Sequence, residues 1–383
     1  MISYNDALAL ILAQDVNSPA VQQKRLEDAI GYVLADDLKA HIANQPFDNS
    51  AMDGIAVRMA DIKSATTDNP VALEIVDMLA AGAVTESIAP QTGQCVEIMT
   101  GAPVPEGFDS VIPVELIDKK NGQAFISKPV EKGKNIRRAG EDFDQGEIIL
   151  SKGQRFKAQL ILPLATCGIS HVDVFDKPNM GVISTGSEIM PLDTPDLKPG
   201  QIYNSNGPYL QSAIAKCGGR AQMLGSVPDD AKAYRRLIDK ALDNQCDIII
   251  STGAVSAGQF DFVPGVLKEI GAEIIFHKAQ IRPGKPILCA RLPDNGPLFF
   301  GLPGNPVSAA AGLRFFIVPL LRQMQQLPIE ERMKAQLTNS FSKSKPQFTF
   351  FLKARSSIDS QGRFSVRILE GQESFKTKPF TNM

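Results

Sequence analysis

Three stretches decide how this chain folds: MGVISTGSE at 180–188, DIIISTGAVSAGQFD at 247–261 and LFFGLPGNPVSA at 298–309. Each opens on a short run of β-branched, aromatic and other apolar residues, which reads as a buried strand. Each then breaks into a loop rich in Gly, Ser, Thr, Pro or Asn. Moving outward, NGPYLQSAIAKCGG (206–219), DDAKAYRRLIDKALDNQ (229–245) and FVPGVLKEIG (262–271) carry helical spacing. RAQMLGSV (220–227), EIIFHK (273–278) and PILCARL (286–292) read as strands. This rhythm predicts βαβ units around a doubly wound parallel sheet over 171–326. In such sheets ligands sit beyond the carboxyl ends of the strands, so the three loops are expected to meet in one place. One Gly-rich loop alone reads equally well as a plain turn, but three at one sheet end do not.

The rest of the chain has a different texture. Residues 1–46 read as helical, with Ser3 capping a first helix and 21–38 (VQQKRLEDAIGYVLADDL) spaced as a second. Residues 138–170 hold a strand-like EIIL and another helix, and with 1–46 they are expected to form a mixed, discontinuous N-terminal domain. Residues 47–137 break into short β-type runs between Gly, Pro, Asn and Asp, predicting a small all-β insert domain. Residues 327–383 predict a small C-terminal β domain. The fold class expected is therefore multidomain α/β plus β.

Composition narrows the function. Of 383 residues 43% are hydrophobic, enough for more than one core, so disorder as the main state is excluded. Lys and Arg number 40 and Asp and Glu 42, a net charge of −2, so wrapping nucleic acid is not expected and anion binding must be local. Five widely spaced Cys with no CxxC pair read as buried reduced thiols. The N-terminus lacks the basic flank of a signal peptide. No apolar stretch is expected to approach the roughly 20 residues a membrane span needs. A cytoplasmic protein with no nucleic-acid and no membrane partner is the expectation. His41, His171 and His277 are scattered, and GxSxG and Walker patterns are absent, which disfavours a serine hydrolase and a P-loop NTPase.

The candidate chemistry follows from the loops. Thr185, Gly186 and Glu188 follow the first strand, Gly253, Ser256, Gly258 and Asp261 the second, and Pro303, Gly304, Asn305 and Ser308 the third. Gly permits close backbone approach, and N–H groups at helix starts suit phosphate or oxyanions. Asp229 opens a helix, where an N-cap is the simplest reading. With Glu188 and Asp261 it could instead bind Mg²⁺, which prefers oxygen ligands. Lys278, Arg282 and Lys285 lie in FHKAQIRPGKP (276–286), and alternation along an extended segment would put Lys278, Gln280 and Arg282 on one face as an anion clamp. The β insert adds PFDNSAMDG around Asp48 and Asp53, IMTGAPVPEG around Thr100, and NIRRAGEDF with Glu141 and Asp142; singly each reads as turn chemistry or a surface ion pair.

Taken together, these segments resemble the molybdopterin molybdenumtransferase family, represented by MoeA and the E domain of gephyrin. The segments are PFDNSAMDGIAVR, IMTGAPVPEG, NIRRAGEDF, STGSEI, GQIYNSNG, STGAVSAGQFD, IRPGKP and GLPGNPVSA, in the family's order over about 46–309. The resemblance implies an elongated homodimer and a reaction in which adenylylated molybdopterin and molybdate, with Mg²⁺, give molybdenum cofactor and AMP. It implies catalytic roles for Asp53, Thr100, Asp142, Glu188, Asp229, Asp261, Lys278 and Arg282, with Glu188, Asp229 and Asp261 as metal ligands. It implies pterin contacts for Thr185, Gly186, Asn206, Gly253, Ser256, Gly258, Lys285, Pro303, Gly304, Asn305 and Ser308. Asp53, Thr100 and Asp142 of one subunit would face the pterin domain of the other, where Asp53 or Asp142 could position water or a second cation. A molybdopterin adenylyltransferase and apo-molybdoenzymes are the protein partners it suggests.

Two departures stand out. Ala254 occupies a position where relatives often carry a second Gly, and Arg282 one where Lys is usual. The chain also stops roughly twenty residues before the family's usual last strands, so the resemblance leaves open a naturally short or a truncated C-terminal β domain. The alternatives are an adenylyltransferase, a gephyrin-like scaffold without catalysis, and an unrelated nucleotide binder.

Overall fold

The computed structural model describes residues 1–85, 88–254, 262–343 and 345–383. Its central element is a six-stranded sheet of β1 (Asn179–Thr185), β2 (Arg220–Val227), β3 (Ile248–Thr252), β4 (Glu273–His277), β5 (Leu288–Arg291) and β6 (Leu298–Leu302), in the order β2-β1-β3-β6-β5-β4. β2, β1, β3 and β6 run parallel, whereas β5 is antiparallel to both β6 and β4. The doubly wound parallel sheet thus holds for four strands. The expected βαβ rhythm fails at β5, because only the turn after Leu292 separates it from β6. Asp294 and Asn295 there take the left-handed conformation of a tight hairpin, and no crossover helix can fit.

Period-2 alternation sorts the sheet residues onto two faces. Met180, Val182, Ile248, Ile250, Phe300 and Leu302 face one core cluster, and Ile183, Ile249 and Phe299 face the other. Helix α1 (Asn206–Lys216) covers the first face with Leu210 and Ile214, and α2 (Ala231–Asp243) covers the second with Tyr234, Ile238 and Ala241. Helix α3 (Pro306–Gly312) runs on through a π-turn at 313–317 to Met324. That 19-residue helix is long and apolar enough to cross a membrane, contrary to the expectation that no such stretch exists. Its apolar window is 72% buried against the sheet, which makes it a core helix.

The N-terminal reading is corrected in part. Ser3 does cap a helix, Tyr4–Leu12, by accepting the Asp6 N–H. That helix, however, buries Ala7 and Ile11 in the α/β core. The second helix expected over 21–38 is absent. Val21–Arg25 is a strand with alternating exposure, paired antiparallel with His171–Phe175, and it is followed by a single 3-10 turn. Gly31, at φ +85°, breaks any longer helix, and tertiary pairing overrides the apolar spacing. His171–Phe175 therefore lies in this N-terminal sheet and not in the parallel one.

The insert is mainly β: a six-stranded sheet with Gly54–Val57 between Ser110–Pro113 and Gln94–Ile98, the added pair Asn49–Ser50 with Ile136–Arg137, and one short α-helix, Met59–Ile62, that the all-β expectation did not include. The C-terminal part has a three-stranded sheet of Gln336–Leu337, Phe364–Ile368 and Ala354–Ile358, while Thr349–Phe350 pairs with Ile281–Arg282. The five cysteines are free and four are buried; burial pushes the Cys95 thiol up to about 12.

Candidate functional site

Because β1, β3 and β6 are parallel neighbours, their carboxyl ends lie side by side. They open into a cavity of about 840 Å³, within the range of small-molecule sites. Nine of the expected site residues line it: Thr185, Gly186 and Glu188 after β1, Asn206 at the start of α1, Asp229 after β2, Gly253 after β3, and Pro303, Gly304 and Asn305 after β6. Ser256, Gly258 and Asp261 lie outside the described residues.

The glycines are there for steric reasons. A Cβ on Gly253 would stand 2.6 Å from Thr185 Oγ1 and 2.8 Å from the Thr185 carbonyl, and its φ is +92°. A Cβ on Gly186 would stand 2.5 Å from a Glu188 carboxylate oxygen, so this glycine leaves the space that the carboxylate folds into. Ala254 takes φ +51° despite its Cβ, a left-handed conformation that costs an L-residue about 1–2 kcal/mol.

Each side chain has an identifiable task. The Thr185 hydroxyl donates to the Thr252 carbonyl at 3.1 Å and ties β1 to β3. Asn206 Nδ2 donates to the Gly304 carbonyl at 2.7 Å, while its buried Oδ1 has no partner among the described residues and is available to a ligand donor. The N-cap of α2 is Asp230, which accepts from the N–H groups of Lys232 and Ala233; those bonds hold its carboxyl below the usual range. The N-cap reading of Asp229 is thereby corrected, and Asp229 is left to the cavity.

Of the helix-start N–H groups after β6, only those of Gly304 and Asn305, which line the cavity, remain as candidates for an anion; those of 306–308 are not available. Pro306 has no N–H, Val307 N–H bonds the Ser374 carbonyl, and Ser308 N–H bonds the Asn305 carbonyl. Ser308 is buried in α3 and does not line the cavity. Neither do Lys278, Arg282 and Lys285, although Pro286 does. The alternation expected along 278–282 is broken at Lys278, whose φ is +73°. Lys278 N–H bonds Ile287 O, and its carbonyl accepts from Ile2 N–H. Arg282 is exposed and held from the other side, its carbonyl accepting from Phe351 N–H.

In the β insert, Asp53 precedes strand Gly54–Val57 and Thr100 follows Gln94–Ile98. The pairing Gly54↔Ile98 brings them together. Asp53 Oδ1 accepts from Thr100 N–H and Thr100 Oγ1, both at 2.7 Å, and the backbone bond first, then the hydroxyl, lower its pKa. Asp142 accepts from Asn44 Nδ2 at 2.8 Å. None of these three lines the cavity of the same chain.

Residues not singled out from sequence also contribute. Asn204 accepts the Gly207 N–H at 2.9 Å and bonds Ser184 Oγ, acting as the side-chain cap of α1; the Asn-Ser-Asn run carried that signal. Phe375 and Thr377 line the cavity from the C-terminal segment, and no local pattern marked them.

Two family models cover most of the chain: MoeA N-terminal region (domains I and II) at residues 2–168, and a probable molybdopterin binding domain at 181–323. The molybdopterin molybdenumtransferase of Synechococcus elongatus is 38% identical over 84% of this chain and 80% of its own length. The chain belongs to the molybdopterin molybdenumtransferase family. The Bacillus subtilis member is 37% identical over 86% of this chain and 76% of its own length. The solved MoeA structure from Pyrococcus horikoshii OT3 superposes with a TM-score of 0.84 at 29% identity, covering 100% of this chain and 93% of that one. As a member of this family the protein is a transferase of molybdenum cofactor biosynthesis. The probable molybdopterin binding domain of the family coincides with the sheet that carries the cavity.

Proposed function

We propose that adenylylated molybdopterin binds in the cavity beyond β1, β3 and β6, receives molybdenum on its dithiolene sulfurs, and loses AMP by hydrolysis of its phosphoanhydride link. The observation that carries this reading is the convergence of Glu188, Asp229 and the three Gly-containing loops on one cavity. Asn206 Oδ1 accepts a ligand N–H there. Lys278 and Arg282, outside the cavity wall, hold molybdate as charge partners, and Lys285 supports them.

The donor set fits a divalent cation. Glu188 and Asp229 face one cavity, and among the described residues no group of three or more His, Cys, Asp or Glu comes together. Two carboxylates plus substrate phosphates are the usual arrangement for Mg²⁺. Glu188 and Asp229 would hold it, and bound there it offsets phosphate charge and polarises the scissile link.

The active unit we propose is a homodimer, in which Asp53, Thr100 and Asp142 of one subunit complete the cavity of the other. It works in the cytoplasm, receives its substrate from a molybdopterin adenylyltransferase and passes its product to apo-molybdoenzymes. The test is AMP release from adenylylated molybdopterin with Mg²⁺ and molybdate. Molybdate-dependent release, with a product that activates an apo-molybdoenzyme, is the expected result. ATP consumption with molybdopterin would instead mark an adenylyltransferase, and binding without release a scaffold.

A further inference from the structure

Part of the cavity lining comes from the C-terminal segment, far in sequence from the parallel sheet. Phe375 and Thr377, from the loop 371–377, line it together with the strand-end loops. This loop lies beyond the last strand of the C-terminal sheet, Phe364–Ile368, yet it is fastened at several points.

The main fastening is Lys353, a lysine only 3% exposed. Burying an ammonium group is costly unless each N–H finds an acceptor. Lys353 Nζ donates to the carbonyls of Gly371, Glu373 (3.2 Å) and Lys376 (2.9 Å), so all three donors are satisfied by this loop's backbone. Gln372 adds to the fastening: its Oε1 accepts from Lys353 N–H at 2.9 Å, and its Nε2 donates to Lys353 O at 2.8 Å. The far side is tied to the α/β unit. Val307 N–H bonds the Ser374 carbonyl at 3.1 Å, and the Phe380 ring stands edge-on to Tyr209 of α1 at 6.2 Å.

The loop is thus held rigidly, while the residue it presents is not packed away. Phe375 is 65% exposed. A large aromatic ring at a cavity edge, on an immobilised backbone, offers a preset face that suits a flat ligand ring. The geometry points to Phe375 as a stacking face for a heteroaromatic ring of the substrate, with Lys353 as the positioning residue that sets this wall. This rests on the reading that adenylylated molybdopterin occupies the cavity, and it extends that reading to a part of the chain outside the probable molybdopterin binding domain. The shared chemistry is a flat nitrogen heterocycle, which the pterin and the adenine both offer.

The chain contains no Trp, so Phe375→Trp places a single reporter on this wall. Binding to the whole 383-residue chain is measured by equilibrium dialysis and by the emission of that reporter, with adenylylated molybdopterin, molybdopterin and AMP as separate probes. The expected result is quenching by adenylylated molybdopterin, with the single-ring probe that also quenches identifying the stacked ring. Phe375→Ala should weaken binding about tenfold, the usual loss of one stacked base. Lys353→Met in the Trp background should reduce quenching and speed amide hydrogen exchange at 371–377. Binding by dialysis with unchanged emission, or an unchanged Kd for Phe375→Ala, would overturn the stacking role. Unchanged exchange and quenching in Lys353→Met would overturn the positioning role, and since Phe375 is exposed its variants remain informative if Lys353→Met fails to fold. Absence of binding by wild type would instead overturn the cavity assignment itself.

Discussion

The acidic groups of the cavity and those of the β insert are held in opposite ways. Glu188 and Asp229 line a cavity with no side-chain hydrogen bond or ion pair among the described residues. Asp53 is engaged twice by Thr100, Asp142 by Asn44, and Asp48 by Arg138 and the Ala139 N–H. Carboxylates with unfilled lone pairs are ready for a cation or a ligand donor. Carboxylates already bonded are preset in position and charge, and act by presenting a fixed surface. The α/β side is built to receive, and the insert side is built to present.

The largest effect should come from the receiving side. Glu188→Gln or Asp229→Asn should lower molybdate-dependent AMP release about 100-fold while leaving the thermal midpoint close to wild type, since neither carboxylate holds the fold together. A large fall in stability would mean that these groups are structural. Gly253→Ala comes next. Its new Cβ meets Thr185 and a left-handed backbone, so denaturant unfolding should show a loss of about 2 kcal/mol.

Asp230→Ala separates two neighbours. Loss of the α2 cap should lower the midpoint of thermal unfolding measurably, whereas Asp229→Ala should leave it nearly unchanged and abolish most activity. The smallest effect belongs to the presenting side. Asp53 has a depressed pKa, so its bonds to Thr100 contribute above the ordinary carboxylate range and are lost as pH falls through the depressed value. Thr100→Val removes the hydroxyl donor and keeps the backbone one. The acid limb of the activity profile should move to higher pH, and an unmoved limb would detach Asp53 from the reaction.

Much of the receiving side was legible because its signals are local. A strand followed by Gly and Ser or Asn is readable within ten residues, and the parallel order of β1, β3 and β6 then brings the three loops together. The insert was legible from its turn residues. What escaped were features fixed by distant pairing. Val21–Arg25 carries helical spacing but becomes a strand because His171–Phe175 pairs with it. Lys278 leaves the extended region where Ile2 and Ile287 take its backbone groups. Asp229 and Asp230 are adjacent acids, and only the backbone geometry at the start of α2 tells cap from cavity. Phe375 lies some seventy residues beyond the last sheet-end loop, and its approach depends on the buried Lys353.

The most direct test of a receiving and a presenting half is complementation between subunits. Asp53→Ala and Glu188→Ala proteins are prepared separately, each nearly inactive, then mixed, allowed to exchange subunits and assayed for molybdate-dependent AMP release. In a dimer with sites shared across the interface, each mixed dimer has one site with both lesions and one with neither. The mixture should therefore recover about a quarter of wild-type activity. A mixture that stays as inactive as its components, with subunit exchange verified, would rule out the shared site and place both carboxylates in a site formed by a single chain.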